Sequence, residues 1–200
     1  MTPIDAVVFD VGRVLVQLDF GDLGPFLSRH GVDASSISRL AERIGLEAHE
    51  RGEFGGEAVL DRFIALADSP MDRDELRRHW LDIFEPVDEM IDLARRLATT
   101  HRVFLLSNAG DLHWEQLNRE FGIESLARDA LPSFRARASK PDAEIYRQAE
   151  ARFGLEPRAT VFIDDLAVNI DAARQRGWRG IHHLDPRATF EDLRAMGVRA

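Results

Sequence analysis

Four places in this 200-residue sequence put polar groups where chemistry is possible. Asp10 follows the apolar run Ala6-Val7-Val8-Phe9. Ser107 and Asn108 follow Val103-Phe104-Leu105-Leu106, and Asp164 and Asp165 follow Thr160-Val161-Phe162-Ile163. Lys140 stands just before a helical pattern and is the single lysine among 26 basic side chains. Each has a structural explanation too: Asp10, Ser107, Asn108 and Asp165 can cap turns or helices, and Lys140 can be solvated. Adjacent carboxylates at 164 and 165 are harder to explain that way, because they repel unless a cation or donors hold them. A lone lysine in an arginine-rich chain also fits a site that needs a compact point charge.

Brought together, these groups support phosphoryl transfer through an aspartyl phosphate. Asp10 can act as the nucleophile, a role carboxylates take in such enzymes. Asp10 and Asp165, with a backbone carbonyl, offer the hard oxygens that suit Mg²⁺. Lys140, with the hydroxyl and amides near Ser107 and Asn108, can hold phosphoryl oxygens as charge develops.

The apolar runs of four residues read as buried strands, and helical periodicity lies between them. Helices are expected over about 87–99, 111–121, 141–153, 168–176 and 189–196, with short strands at 130–131 and 180–183. Strands alternating with helices mean a doubly wound parallel sheet, and polar strand ends in such sheets meet at the carboxyl edge. From about Phe20 to Phe84 the pattern is helical throughout. Leu23, Phe26 and Leu27 share a face, as do Ile37, Leu40, Ala41 and Ile44, then Val59, Leu60 and Phe63, then Leu76, Trp80 and Phe84. Three or four helices here imply an inserted bundle. The expected organisation is an α/β core of residues 1–16 and 86–200, with a helical subdomain at 17–85.

At 44% hydrophobic and 30% charged residues the composition is that of a globular protein with ample core. No run reaches a membrane span, and the first residues lack a signal-peptide pattern. Absence of cysteine rules out disulfides and thiolate metal sites. A cytoplasmic location is expected. A net charge of −9 opposes general nucleic-acid binding. The glycines at 52, 55 and 56 do not make a nucleotide-binding pattern. No feature speaks to the oligomeric state.

The segments FDVGRVLV, LLSNAG, SKPDAEIY and FIDDLAVN, in that order, resemble the four motifs of the haloacid dehalogenase-like hydrolase superfamily. The resemblance spans the chain, and the helical stretch falls where that superfamily inserts its C1 cap. The chain is most similar to the bacterial subgroup containing α-D-glucose-1-phosphate phosphatase, which carries a stretch like Glu50-Arg51-Gly52-Glu53. The resemblance implies a Rossmann-like fold and a Mg²⁺-dependent phosphatase acting on a small phosphorylated metabolite, such as a sugar phosphate. It makes Asp10 the nucleophile and Asp165 a direct metal ligand, joined by the Gly12 carbonyl, with Asp164 behind them. Gly12, Ser107, Asn108 and Lys140 would contact the phosphoryl group.

Two departures matter. The superfamily's phosphatases usually carry a second aspartate two residues after the nucleophile, as general acid and base; here that residue is Gly12. Its loss implies an easily expelled leaving group, a proton from elsewhere such as the cap, or a domain that binds and turns over poorly. The subgroup also tends to have glycine where this chain has Arg137. A metal-independent haloacid dehalogenase is the other enzymatic alternative, and the Asp164-Asp165 pair argues against it. Among secondary candidates, Arg51 is a possible substrate contact and Asn169 a possible support for the 164–165 turn. Arg135 and Arg137 are expected to face solvent, His113 and Trp114 to pack in the core, and His182-His183 to be structural.

Overall fold

The computed structural model describes residues 2–199. The chain opens with β1 (Ala6–Phe9), then β2 (Val16–Leu18) and five helices: α1 (Leu23–Arg29), α2 (Ile37–Ile44), α3 (Leu46–Glu50), α4 (Gly56–Ala65) and α5 (Arg73–Leu81). β3 (Phe84–Pro86) returns to α6 (Asp88–Leu97), β4 (Arg102–Ser107), α7 (Asp111–Phe121), β5 (Asp129–Pro132), α8 (Ser133–Ala136) and α9 (Ala143–Phe153). β6 (Thr160–Asp164), α10 (Ala167–Gln175), β7 (Arg179–His182) and α11 (Pro186–Ala195) complete it. The expected core elements are present, most within two or three residues of their expected bounds.

Five strands form one sheet in the order β5-β4-β1-β6-β7, every pair parallel. The first strand therefore lies at the centre, with β4 and β6 beside it. The two-residue period of a strand divides its apolar side chains between two layers. Val7, Phe9, Val103, Leu105, Val161 and Ile163 pack on the side of α6, α7 and α11. Ala6, Val8, Phe104, Leu106 and Phe162 pack on the side of α9 and α10. Both faces are covered, which is why these strands read as unbroken apolar runs.

The five helices between β2 and β3 have an apolar cluster of their own, with Phe26, Leu27, Leu60, Phe63, Leu76 and Trp80 buried in it. Capping sets several ends. Ser36 accepts the Arg39 N–H at the start of α2, Gly45 ends α2 in the left-handed region, and Asp72 accepts the Glu75 N–H at the start of α5. The segment holds five helices rather than three or four, and two further features differ from expectation. Ile37, placed by its spacing on the buried face, is 58% exposed, because it opens α2 at the rim of the cluster. The chain also leaves and re-enters the core through an antiparallel ribbon pairing Val16 with Pro86 and Leu18 with Phe84. These three-residue strands are too short to show a period. Among the described residues, no helix is long and apolar enough to cross a membrane.

Candidate active site

Sheet register assembles the site. Phe9 pairs with Leu105 on one side and Ile163 on the other, so Asp10 and Asp164 each follow at the same level. The strand period turns both toward the α9 side, where Lys140 precedes the helix. The Lys140 ammonium lies 2.8 Å from Asp10 Oδ1 and 2.7 Å from Asp164 Oδ2, over the Phe162 ring at 5.5 Å. All three side chains are buried. Burial would lower the Lys140 pKa, but the Asp10 and Asp164 carboxylates outweigh it and hold the ammonium above its ordinary value. Burial pushes the Asp10 carboxyl upward, against the pull of Lys140. Lys140 and the Val11 N–H both bind Asp10 Oδ1. Among the described residues, Oδ2 of Asp10 carries no hydrogen bond.

The neighbouring aspartates differ in what they are free to do. Asp164 is fully committed: besides Lys140 it accepts from the Leu166 N–H at 2.8 Å and from Asn169 Nδ2 at 2.9 Å. Asn169 thus orients Asp164, and the Tyr146 hydroxyl donates to the Asn169 carbonyl behind it. Asp165 faces the opening, with Arg13 Nη1 at 3.8 Å. Burial raises its pKa, Asp164 adds to the rise, and Lys140 and Arg13 oppose it. Oxygen atoms of Asp10, Asp164 and Asp165 lie within 4.8 Å of one another. An all-oxygen set, with Asp165 only loosely held and Oδ2 of Asp10 open, fits a hard divalent cation such as Mg²⁺.

Ser107 is buried at the end of β4. Asn108 clamps the lysine loop: its Nδ2 donates to the Lys140 carbonyl at 2.9 Å, and its Oδ1 accepts the Lys140 N–H at 2.8 Å. Asp10, Gly12, Ser107, Asn108, Lys140 and Asp165 line one cavity of about 180 Å³, joined by Arg13 and Asn169. The structure thus brings together every principal residue singled out in the sequence; all but Asp164 line the cavity, and Asp164 supports it from behind. A Cβ built on Gly12 would meet nothing within 4 Å. The place of a second aspartate is open space.

Two charged lining residues were not singled out by sequence. Arg13 reaches the cavity because it adopts a left-handed φ of +58°. Glu50, the last residue of α3, lines an adjoining cavity with Gly12, Ser107, Asn108 and His113. Burial pushes the Glu50 carboxyl up to about 7, Asp10 and Glu47 adding to the rise and Lys140 opposing it. Within the run Glu50-Arg51-Gly52-Glu53 the sequence points to Arg51 as the substrate contact, but it is Glu50 that lines the site. Arg51 instead pairs with Glu47 and Glu53.

The remaining candidates fall outside the chemistry. His113 Nε2 contacts the Trp80 carbonyl, and burial pushes its pKa down to about 4, so the ring is neutral. Trp114 is in the core and donates to Glu124. His182 meets the Asp165 carbonyl and His183 the Thr189 hydroxyl. Arg135 pairs with Glu124. Arg137 holds a left-handed φ of +52°, the conformation glycine takes most easily, which accounts physically for glycine in similar sequences.

Comparison with known proteins shows the family and the fold. Residues 4–177 match the family model of the haloacid dehalogenase-like hydrolases. The D-ribitol-5-phosphate phosphatase of Bacteroides thetaiotaomicron is 24% identical over 185 residues, 88% of this chain and 89% of that protein. A haloacid dehalogenase family enzyme from the same organism, solved with magnesium and inorganic phosphate, superposes with a TM-score of 0.79 at 23% identity. That match covers 89% of this chain and 93% of the other. The L-2-haloacid dehalogenase of Xanthobacter autotrophicus shares the fold more distantly, with a TM-score of 0.63 at 15% identity over 98% of this chain and 85% of that one. With its polar strand ends gathered around one lysine and its family model matched over most of its length, the chain belongs to the haloacid dehalogenase-like hydrolase family.

Proposed function

We propose that this protein is a Mg²⁺-dependent phosphatase that hydrolyses a small phosphorylated metabolite through phospho-Asp10. The observation that carries the reading is the Asp10–Lys140–Asp164 bridge with Asp165 beside it, facing a cavity at the carboxyl edge of the sheet. A dehalogenase acting on a carboxylate needs no metal, so the acidic pair favours phosphate chemistry. The magnesium and phosphate in the Bacteroides enzyme and the phosphatase relative support the same choice.

In the first step the Asp10 carboxylate attacks phosphorus and the ester P–O bond breaks. Lys140 favours the ionised form of Asp10 against its burial and draws negative charge from the phosphoryl oxygens, with Ser107 as a hydroxyl donor. The departing alkoxide needs a proton, and Gly12 has none to give. Glu50 is the carboxyl group facing that gap, so it protonates the leaving oxygen. In the second step water attacks phosphorus, the bond to Asp10 breaks, and Glu50 takes the proton back from water. Asp10, Asp165 and the Gly12 carbonyl are the oxygens that would hold Mg²⁺, which when bound neutralises charge on the phosphoryl group. Residues 17–85 act as a cap over the core of 1–16 and 86–200, excluding water and choosing the substrate.

The test is hydrolysis of p-nitrophenyl phosphate with and without Mg²⁺, for the natural chain and Asp10→Asn. Metal-dependent turnover that Asp10→Asn abolishes is expected. Turnover indifferent to both changes would end the proposal, and metal-independent fluoride release from fluoroacetate would redirect it to dehalogenation.

A further inference from the structure

Beyond Gly12 the adjoining cavity changes character. It encloses about 140 Å³, and past the phosphoryl end its walls are Leu18, Phe20, Leu46, Trp80, Ile83 and Phe84. The polar groups along it are mostly spent. Both polar atoms of the Asn108 amide are paired with the Lys140 backbone, and Nε2 of His113 is paired with the Trp80 carbonyl. Glu50 and Nδ1 of His113 remain, and the indole N–H of Trp80 is buried with no partner among the described residues. Phe20, Leu46 and Trp80 also form one wall of a second chamber of about 210 Å³ inside the helical segment. Leu23, Leu27, Leu40 and Phe63 help to line that chamber, and among the described residues no charged side chain does.

From this lining we infer that the alcohol released at the site is apolar, so that the substrate is the phosphate monoester of an alkyl or aryl alcohol. The inference rests on the phosphatase reading and sharpens its substrate class. The phosphoryl group takes the end bounded by Ser107 and Lys140, and the hydrocarbon takes the space from Gly12 to Phe84. Longer chains press on Phe20, Leu46 and Trp80 toward the second chamber. A sugar or polyol phosphate would carry several hydroxyls into this space. Past the phosphoryl end, Glu50 and Nδ1 of His113 are the side-chain groups that could meet them, fewer than the hydroxyls of a polyol, and a buried hydroxyl without a partner is disfavoured. A site of this kind gains from each methylene and loses with each unpaired hydroxyl.

The experiment compares kcat/KM for linear alkyl phosphates from ethyl to octyl with that for sorbitol 6-phosphate, all with Mg²⁺. A rise of about fourfold per methylene over the first members is expected, from roughly 0.8 kcal/mol per buried CH₂. Hexyl phosphate should exceed sorbitol 6-phosphate by about tenfold or more. Leu46→Gln should flatten the series. A flat series in the natural chain, or a polyol phosphate hydrolysed as well as hexyl phosphate, overturns the inference. p-Nitrophenyl phosphate run alongside separates this outcome from failure of the phosphatase reading itself. Calorimetry with ethyl- and hexylphosphonate gives a readout independent of turnover. Tighter binding and a more negative heat-capacity change for the longer chain support an apolar site, and equal binding overturns it.

Discussion

The buried Ser133 hydroxyl donates to the Glu50 carbonyl at 2.6 Å while accepting the Ala109 N–H at 3.0 Å. One hydroxyl thus ties the end of α3 to the loop after β4, close to Ser107 and Asn108. Two residues beyond Glu50, Gly52 sits at φ +71° against the Phe134 carbonyl, where a Cβ would collide with backbone. The helical segment is therefore docked on the core at the residue proposed to handle the proton.

Ser133→Ala tests this tie. It leaves the Glu50 carbonyl and the Ala109 N–H without their partner in a buried place. The expected cost is about 1–3 kcal/mol in urea unfolding, together with a several-fold fall in kcat as Glu50 loses its fixed position. Loss of stability with kcat untouched would mean that the tie holds the fold but does not position Glu50.

Lys140→Met removes the cation between two buried carboxylates. Breaking such a pair by deleting one partner costs about 3–5 kcal/mol, and activity should fall below detection. The sign of its pH dependence is diagnostic. Without Lys140, Asp10 and Asp164 repel, so the folded state takes up a proton at a higher pH than the unfolded chain does. The variant should then regain stability as pH falls toward 5. A variant equally stable at pH 5 and pH 8 would contradict a shared, buried charge.

Glu50→Gln keeps the shape and removes the proton. With p-nitrophenyl phosphate, whose leaving group departs without help, kcat/KM, which reports the first step alone, should change little. With an alkyl phosphate it should fall by about 10² to 10⁴, the usual worth of a general acid. Burial pushes the Glu50 pKa to about 7. Alkyl phosphate hydrolysis should therefore decline as pH rises through that value, and Glu50→Gln should lose that limb. Equal losses on both substrates would assign the proton to another group.

Much of the core was legible because its signals are local. Asp10, Ser107 and Asp164 each end an unbroken apolar run, and Lys140 is the one lysine in the chain. A parallel sheet then needs only register to bring them level. Glu50 was not legible as a site residue. Helix α3 has five residues, too few to show a period, and the backbone carbonyl of its last residue is held by Ser133, 83 residues later. Arg13 enters the site through a positive φ that no non-glycine sequence advertises. The β2–β3 ribbon was hidden for a similar reason: each strand is three residues, and one contains proline. What pattern reading misses here is what long-range docking decides.

His113 offers a prediction about stability. Burial pushes its pKa down to about 4, His49 lowering it further while the Trp80 carbonyl and Asp111 oppose the shift. In the unfolded chain the ring titrates near 6.5. As pH falls through that range the unfolded state binds the proton first, so the stabilisation present above about 6.5 is lost by about pH 4. The size is about 3 kcal/mol, from roughly 1.4 kcal/mol per pKa unit. Asp10 and Glu50, both raised, act in the opposite sense and blur the curve of the natural chain. The clean measurement is the difference in unfolding free energy between Glu50→Gln and the double variant Glu50→Gln/His113→Gln. That difference should fall by about 3 kcal/mol between pH 7 and pH 4, with the histidine-containing chain losing ground. A difference that stays flat across this range would mean that His113 takes its proton in the folded protein as readily as in the unfolded one.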